Sequence, residues 1–302
     1  MYPMAPRGRN RDAHATFAGF VFQVNVTIRD WLELSPGQHL ELEAGEDIDL
    51  IQEAAALGLN DLSRLQQVKQ LRKKRLTLRS DDALEAIANF CGHRRSKPDQ
   101  NQEFRFLTTT RARREQKWTG AGSGIETWEK VRTGHLRDEE RTAAITAIKD
   151  FLGTCIPRVP KNIRAPFEEV VRGDYEQFAA MVDSFEWALG TGNHKDYEEK
   201  ILVALEQREP KRTRENARRL YHDLFAFVFR LLTEPGPKVL TRELLAGELK
   251  VTNTELIAAA HLREWIDKVD AILERHEQEI KELRTRIPVE RARIFGQEWA
   301  AL

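Results

Sequence analysis

The run HLELEAGEDIDLI, residues 39–51, constrains this chain more than any other, because polar and apolar residues alternate on either side of Ala44-Gly45. Alternation with a period of two sends successive side chains to opposite faces of an extended strand, and a small-residue pair between two such runs favours a tight reversal. The run predicts two strands around a turn. Three further segments extend the pattern. Leu62 to Leu71 reads as a third strand. FRFLTTT, Phe104 to Thr110, has the aromatic and β-branched composition that strands prefer. Ahead of the hairpin, Phe17, Phe20, Val21, Val24, Ile28 and Trp31 fall at helical spacing, predicting a buried helix that Pro36 and Gly37 terminate. Ser80 is placed to cap a helix through DDALEAIANFCGHRR. The first 117 residues thus read as helix, three strands, helix, strand: an α/β module.

The remainder has a different texture. WTGAGSGIETWEK, from Trp118, has closely spaced glycines and reads as a mobile connection; it lacks the Gly-Lys-Ser/Thr of a P-loop. Beyond it, helical period covers roughly 138–152, 166–189, 213–233 and 262–285, with no strand pattern and no internal repeat. The expected division is therefore an α/β domain over 12–135 and an all-α domain over 136–302. EWIDKVDAILERHEQEIKELRTRI, in the last part, has heptad-like spacing that suits a partner-binding or an ordinary surface helix.

Composition bounds the class. The chain has 302 residues, 32% of them charged and 41% hydrophobic, which suits a soluble globular protein rich in helix. No apolar run reaches the roughly 18 residues of a membrane span, and the first residues have no apolar stretch of a secretory leader. Two cysteines, Cys91 and Cys155, without C-x-x-C spacing argue against a zinc ribbon or disulfide scaffold and fit a reducing cytoplasm. The formal net charge of zero hides a division: residues 1–60 carry 4 Lys and Arg against 9 Asp and Glu, whereas 61–117 carry 15 against 7. A basic segment beside an acidic one could draw phosphate towards a carboxylate site, or could coat a solvated face.

Residues two apart on a strand share a face, so Asp47 with Asp49, and Gln67 with Lys69, form same-face pairs, as do Glu41 and Glu43. Gln23 lies within an apolar helix, where an amide needs a reason to be buried. If the strands are neighbours, carboxylates, an amide and a lysine converge. Such a set suits phosphodiester hydrolysis, in which Mg²⁺ takes carboxylate and carbonyl oxygens and a lysine offsets developing charge.

In order and spacing, GFVFQ (Gly19 to Gln23), LELEAGEDIDL, QVKQ (Gln67 to Gln70) and FRFLTTT resemble the N-terminal nuclease family of bacterial anti-phage effectors. That family belongs to the PD-(D/E)xK, restriction-endonuclease-like superfamily and occurs in CBASS effectors, antiviral STAND NTPases and Lamassu systems. The resemblance spans roughly residues 12–117. It implies a restriction-endonuclease-like fold and a Mg²⁺- or Mn²⁺-dependent endodeoxyribonuclease. Asp47 or Asp49 would be the metal-binding aspartate, Glu43 a further ligand, Gln67 the second-motif ligand and Lys69 the signature lysine. Gln23 would be the first-helix glutamine beside the site; Phe22 stands where relatives often have tyrosine. Lys73, Lys74 and Arg75, with Arg111, Arg113 and Arg114, would hold the backbone of double-stranded DNA without reading bases.

The resemblance also sets expectations for the rest. Relatives follow the nuclease with a nucleotide-sensing domain or an NTPase, and residues 136–302 show the pattern of neither. A Lamassu-like effector subunit, assembled as a homo-oligomer or beside an SMC-like ATPase in the cytoplasm and gated by that assembly, is the implied setting. Two alternatives stand. One is a non-catalytic DNA-binding or scaffold protein. The other is a regulator using Leu240 to Leu262 as a helix-turn-helix, although its second helix would present Thr254, Glu255 and Ala258–Ala260 with almost no cations.

Overall fold

The computed structural model describes residues 13–52, 62–71, 75–98, 100–208, 213–250, 266–271, 273–279 and 281–282. Two compact units divide the chain, Gly19–Lys250 on one side and Met1–Ala18 with Val251–Leu302 on the other. In the second unit, the described residues at 266–271, 273–279 and 281–282 are helical and mostly exposed. Among the described residues no helix is long and apolar enough to cross a membrane.

Helix α1 (Ala13–Leu32) leads into β1 (Gln38–Leu42), β2 (Ile48–Gln52), β3 (Leu62–Lys69), α2 (Asp81–Ser96) and β4 (Asn101–Thr108). Four helices follow: α3 (Gly124–Arg132), α4 (Asp138–Gly153), α5 (Arg164–Arg172) and α6 (Tyr175–Asp183). The chain then returns to the sheet as β5 (Phe185–Leu189), leaves it through α7 (His194–Gln207) and α8 (Arg214–Thr233), and closes with β6 (Val239–Leu240) and α9 (Arg242–Lys250). The strands make one mixed sheet in the order β5-β4-β3-β2-β1-β6. Its β3-β4-β5 part is parallel, and the other pairings are antiparallel.

The period-two side-chain pattern sorts the core into two layers. On one face, Leu40, Leu42, Ile48, Val68, Leu107 and Ala188 pack with Phe22, Ile28 and Trp31 of α1 and with α7 and α8. On the other, Leu65, Phe104, Phe106, Phe185 and Trp187 pack with α2 to α6. An aromatic group holds this second layer: Phe104 stacks on Phe185 at 4.8 Å, and Trp128 meets Phe185 edge-on at 5.4 Å. Trp118, Trp128 and Trp187 are all buried there, as are Cys91 and Cys155.

The expected α/β reading of the first part holds, and the expected all-α reading of the second does not. Residues beyond 136 supply β5 and β6 to the same sheet, and the 135/136 boundary falls inside the Gly19–Lys250 unit. The helical period over 166–189 breaks at Gly173-Asp174, where the Asp174 carboxylate accepts from Gln177 N at 2.7 Å and starts a new helix. From Phe185 onward the alternation of Phe185, Trp187 and Leu189 toward the aromatic layer makes a strand instead. The glycine-rich connection is also partly helical. Ser123 and Glu126 form a reciprocal capping box that begins α3. The buried Glu115 carboxylate accepts from Leu78 N at 2.8 Å and Gly124 N at 2.7 Å, pinning this segment to the loop before α2. Ser80 does occupy the N-cap position of α2, but its hydroxyl donates to Thr77 O at 2.6 Å rather than capping.

Candidate functional site

Strand register decides which side chains can meet. Asp49 pairs with Leu65, and Ile48 pairs with Gln66, so continuing the ladder by one residue sets Asp47 opposite Gln67. Asp47, Asp49, Gln67 and Lys69 therefore share the face that carries α2, at the end of the sheet where β3 finishes. Asp47 lies one residue before β2 begins.

The two aspartates do different local work. Asp49, 4% exposed, accepts from Gly45 N at 2.7 Å through Oδ2 and from Glu46 N at 3.1 Å through Oδ1. Both oxygens close the β1–β2 turn, in which Glu43 takes the left-handed conformation at φ 56°. Asp47 uses Oδ2 alone, accepting from Val68 N at 2.7 Å. Its Oδ1 has no such duty among the described residues. Burial pushes the Asp47 carboxyl up to about 6, against the Val68 hydrogen bond and the Lys69 charge. Burial likewise lifts Asp49 to about 6, against its two turn N–H donors. Two carboxylates held in a desolvated corner at raised pKa are stabilised by a nearby cation.

Gln67 supplies the matching acceptor. It is 8% exposed, and its Oε1 is buried without a hydrogen-bond partner among the described residues. Buried amide oxygens are ordinarily paired, so an orphan facing a carboxylate fits a hard cation held between them. Lys69 Nζ lies 3.3 Å from Asp82 Oδ1 and 3.4 Å from Glu85 Oε2, both on α2. These two acids escape a sequence reading, since S-D-D before a helix looks like capping chemistry. Glu46 is a further neighbour, its Oε1 3.1 Å from His93 Nε2.

Other expected residues lie apart. The Glu43 carboxylate is ion-paired with Lys238 beside β6, so it is already engaged away from Gln67. Gln23 is half-buried on α1, the layer on the opposite face of the sheet. Lys73 and Lys74 lie outside the described residues. Arg75, Arg111, Arg113 and Arg114 are exposed. The segments carrying them are bound side by side by a parallel bridge from Leu76 to Ala112, with Leu76 N donating to Arg111 O at 3.0 Å and Arg113 N to Leu76 O at 2.8 Å. The basic ledge beside the end of β3 is thus formed by backbone pairing. Of the helix-turn-helix alternative, only α9 is described; residues 251–265 are outside. Cys91 is buried, and that burial pushes its thiol up to about 12.

The opposite face holds a cavity of about 210 Å³ lined by Asp30, Glu33, Arg64, Gln66 and Arg105 above an aliphatic floor. Its charges are mutually satisfied: Arg64 with Glu103 at 2.8 Å, Arg105 with Glu186 at 3.3 Å, Arg29 with Glu33 at 2.8 Å. Gln66 Nε2 donates to Asp30 Oδ2 at 2.8 Å, and Arg105 donates to Gln66 Oε1 at 3.4 Å. Most of its polar groups are paired within the fold, although Arg105 Nε, 3.3 Å from Glu186, makes no hydrogen bond among the described residues.

No family model matches the chain, and no curated protein does. Among solved structures it is similar to the Cap4 SAVED/CARF-domain containing receptor of Acinetobacter baumannii, with 14% identity, TM-score 0.49, and coverage of 76% of this chain and 46% of the receptor. The same receptor with the cyclic trinucleotide 3'3'3'-cAAA gives 15% identity, TM-score 0.49, and coverage of 77% and 45%. The Cap4 receptor of Moraxella osloensis gives 13%, 0.45, 79% and 49%. The chain spans about half the length of these receptors. At TM-scores this low, the reading of the site rests on its own residues.

Proposed function

We propose that this chain is a divalent-metal-dependent endodeoxyribonuclease of low sequence specificity, serving as an effector in bacterial anti-phage defence. One observation carries the reading: the buried, unpartnered Gln67 Oε1 stands on the face shared with Asp47, Asp49 and Lys69. The donor set fits Mg²⁺ or Mn²⁺, which favour carboxylate and amide oxygens and retain several waters. Asp47 Oδ1 and Gln67 Oε1 would hold the ion, with Asp49 behind them. Bound there, it would polarise the phosphate and acidify a water. Lys69 would offset charge on the phosphoryl oxygens as water adds to phosphorus and one P–O bond breaks. Arg75, Arg111, Arg113 and Arg114 would hold phosphates on either side, which gives affinity without base readout. The sequence resemblance supports the defence setting and gating by a homo-oligomer or by partner subunits such as an SMC-like ATPase.

A non-catalytic DNA-binding scaffold is the second reading. It is favoured by the lack, among the described residues, of three His, Cys, Asp or Glu side chains converging as a metal-holding group. Plasmid cleavage by the purified chain, in Mg²⁺ or EDTA and beside Lys69→Ala, separates the two. Metal-dependent cutting lost in the variant is expected. DNA binding without cutting, alone or with the neighbouring gene products, selects the scaffold.

A further inference from the structure

The Lys69 ammonium lies against neither aspartate of the site. It is shared between Asp82 and Glu85, at 3.3 and 3.4 Å, and these are three residues apart on α2 and so stand on one helix face. Lys69 is 26% exposed, Asp82 29% and Glu85 47%. An ion pair this wet contributes little stability, so folding alone does not explain two carboxylates converging on one lysine. Their placement has a different effect. A lysine has four rotatable side-chain bonds, and an ammonium drawn from two sides is held in one place on the strand face that Lys69 shares with Gln67. Holding a reacting group in place before substrate arrives lowers the barrier by entropy already spent.

We propose that Asp82 and Glu85 are positioning residues that hold the Lys69 ammonium over the Gln67 face for the attack on phosphate. The proposal rests on the nuclease reading above. Simple electrostatics predicts the opposite sign for their removal, since deleting two negative charges beside a DNA site strengthens DNA binding and the field on the phosphate. The two accounts therefore separate cleanly in kinetics.

The test is the full-length double variant Asp82→Asn/Glu85→Gln, measured for plasmid cleavage and, with labelled lysine, for the order of the Lys69 ε-carbon by ¹³C relaxation. A fall in kcat of about tenfold with KM unchanged or lowered is expected, together with loss of order at Lys69. The charge-preserving swap Asp82→Glu/Glu85→Asp should recover most of the rate. Order retained at Lys69 in the double variant overturns the clamp. Order lost with kcat unchanged or raised overturns the positioning role. If the wild-type chain itself does not cut while Lys69 still loses order, the nuclease reading fails and the catalytic role falls with it, but the contact stands.

Discussion

Gln66 and Gln67 are consecutive, both buried and chemically identical, yet they point through opposite faces of β3 into opposite circumstances. Gln66 spends both ends of its amide, donating to Asp30 and accepting from Arg105. Gln67 keeps a buried oxygen with no partner. The same division separates their carboxylates. Burial raises Asp30 despite the Arg29 charge and the Gln66 hydrogen bond, and both partners come from within the fold. Asp47 is raised too, and keeps an oxygen in reserve. A polar group that is fully paired specifies packing. One left open at the cost of an unmade hydrogen bond is available to something from outside.

Substitutions along this strand sharpen the contrast. Lys69→Ala should have the largest effect, lowering metal-dependent cleavage by roughly 1,000-fold while the urea midpoint stays put. Retained cleavage would end the case for an open face. Gln66→Leu should destabilise by about 1–3 kcal/mol, because it strips Asp30 of a buried donor. Gln67→Leu should cost no more than about 0.5 kcal/mol and slow cutting by a smaller factor than Lys69→Ala; chemical denaturation of both variants checks the pair. If Gln67→Leu proves the more damaging to stability, the orphan oxygen has a structural partner after all.

A subtler difference is in pH. Asp47 and Asp49 sit near 6 when folded and at their ordinary value of 3.8 when unfolded, so between those values the folded state holds more protons. Their contribution to stability is full below about 4 and is lost as pH rises through about 6. Relative to Asp47→Asn/Asp49→Asn, wild type should gain stability as pH falls from about 7 to about 4, and Mn²⁺ at neutral pH should recover part of that gain in wild type only. The smallest effect is expected on the basic ledge. Arg75→Ala/Arg111→Ala/Arg113→Ala should weaken DNA binding at every sequence and reduce the slope of log affinity against log salt by roughly 0.9 per phosphate contact removed.

The sequence made the antiparallel part of the sheet plain, because Leu40, Leu42, Ile48 and Leu50 alternate cleanly with polar partners. It hid β5, since five residues of alternation follow directly on two helices of matching period. It hid α3 behind glycines, although Ser123 and Glu126 were a readable start signal. In the site, spacing put Asp47 and Asp49 on one face but could not rank them. Their rank comes from backbone donors, two for Asp49 against one for Asp47, and those exist only once the turn has closed. Asp82 and Glu85 were invisible because only the crossing of α2 over β3 brings them to Lys69.

Strand β5 ends the sheet on its parallel side, and a terminal strand normally offers a row of unpaired amides to any passing chain. Here a carboxylate from α3 takes one of them, with Trp187 N donating to Glu129 Oε1 at 2.7 Å. The Trp128 indole N–H donates to Val182 O and Phe185 O, both at 3.0 Å, on the same side. Part of the margin is thereby already occupied by α3. An incoming strand would have to displace both contacts before it could pair there, which makes this end of the sheet a poor seed for a fibre.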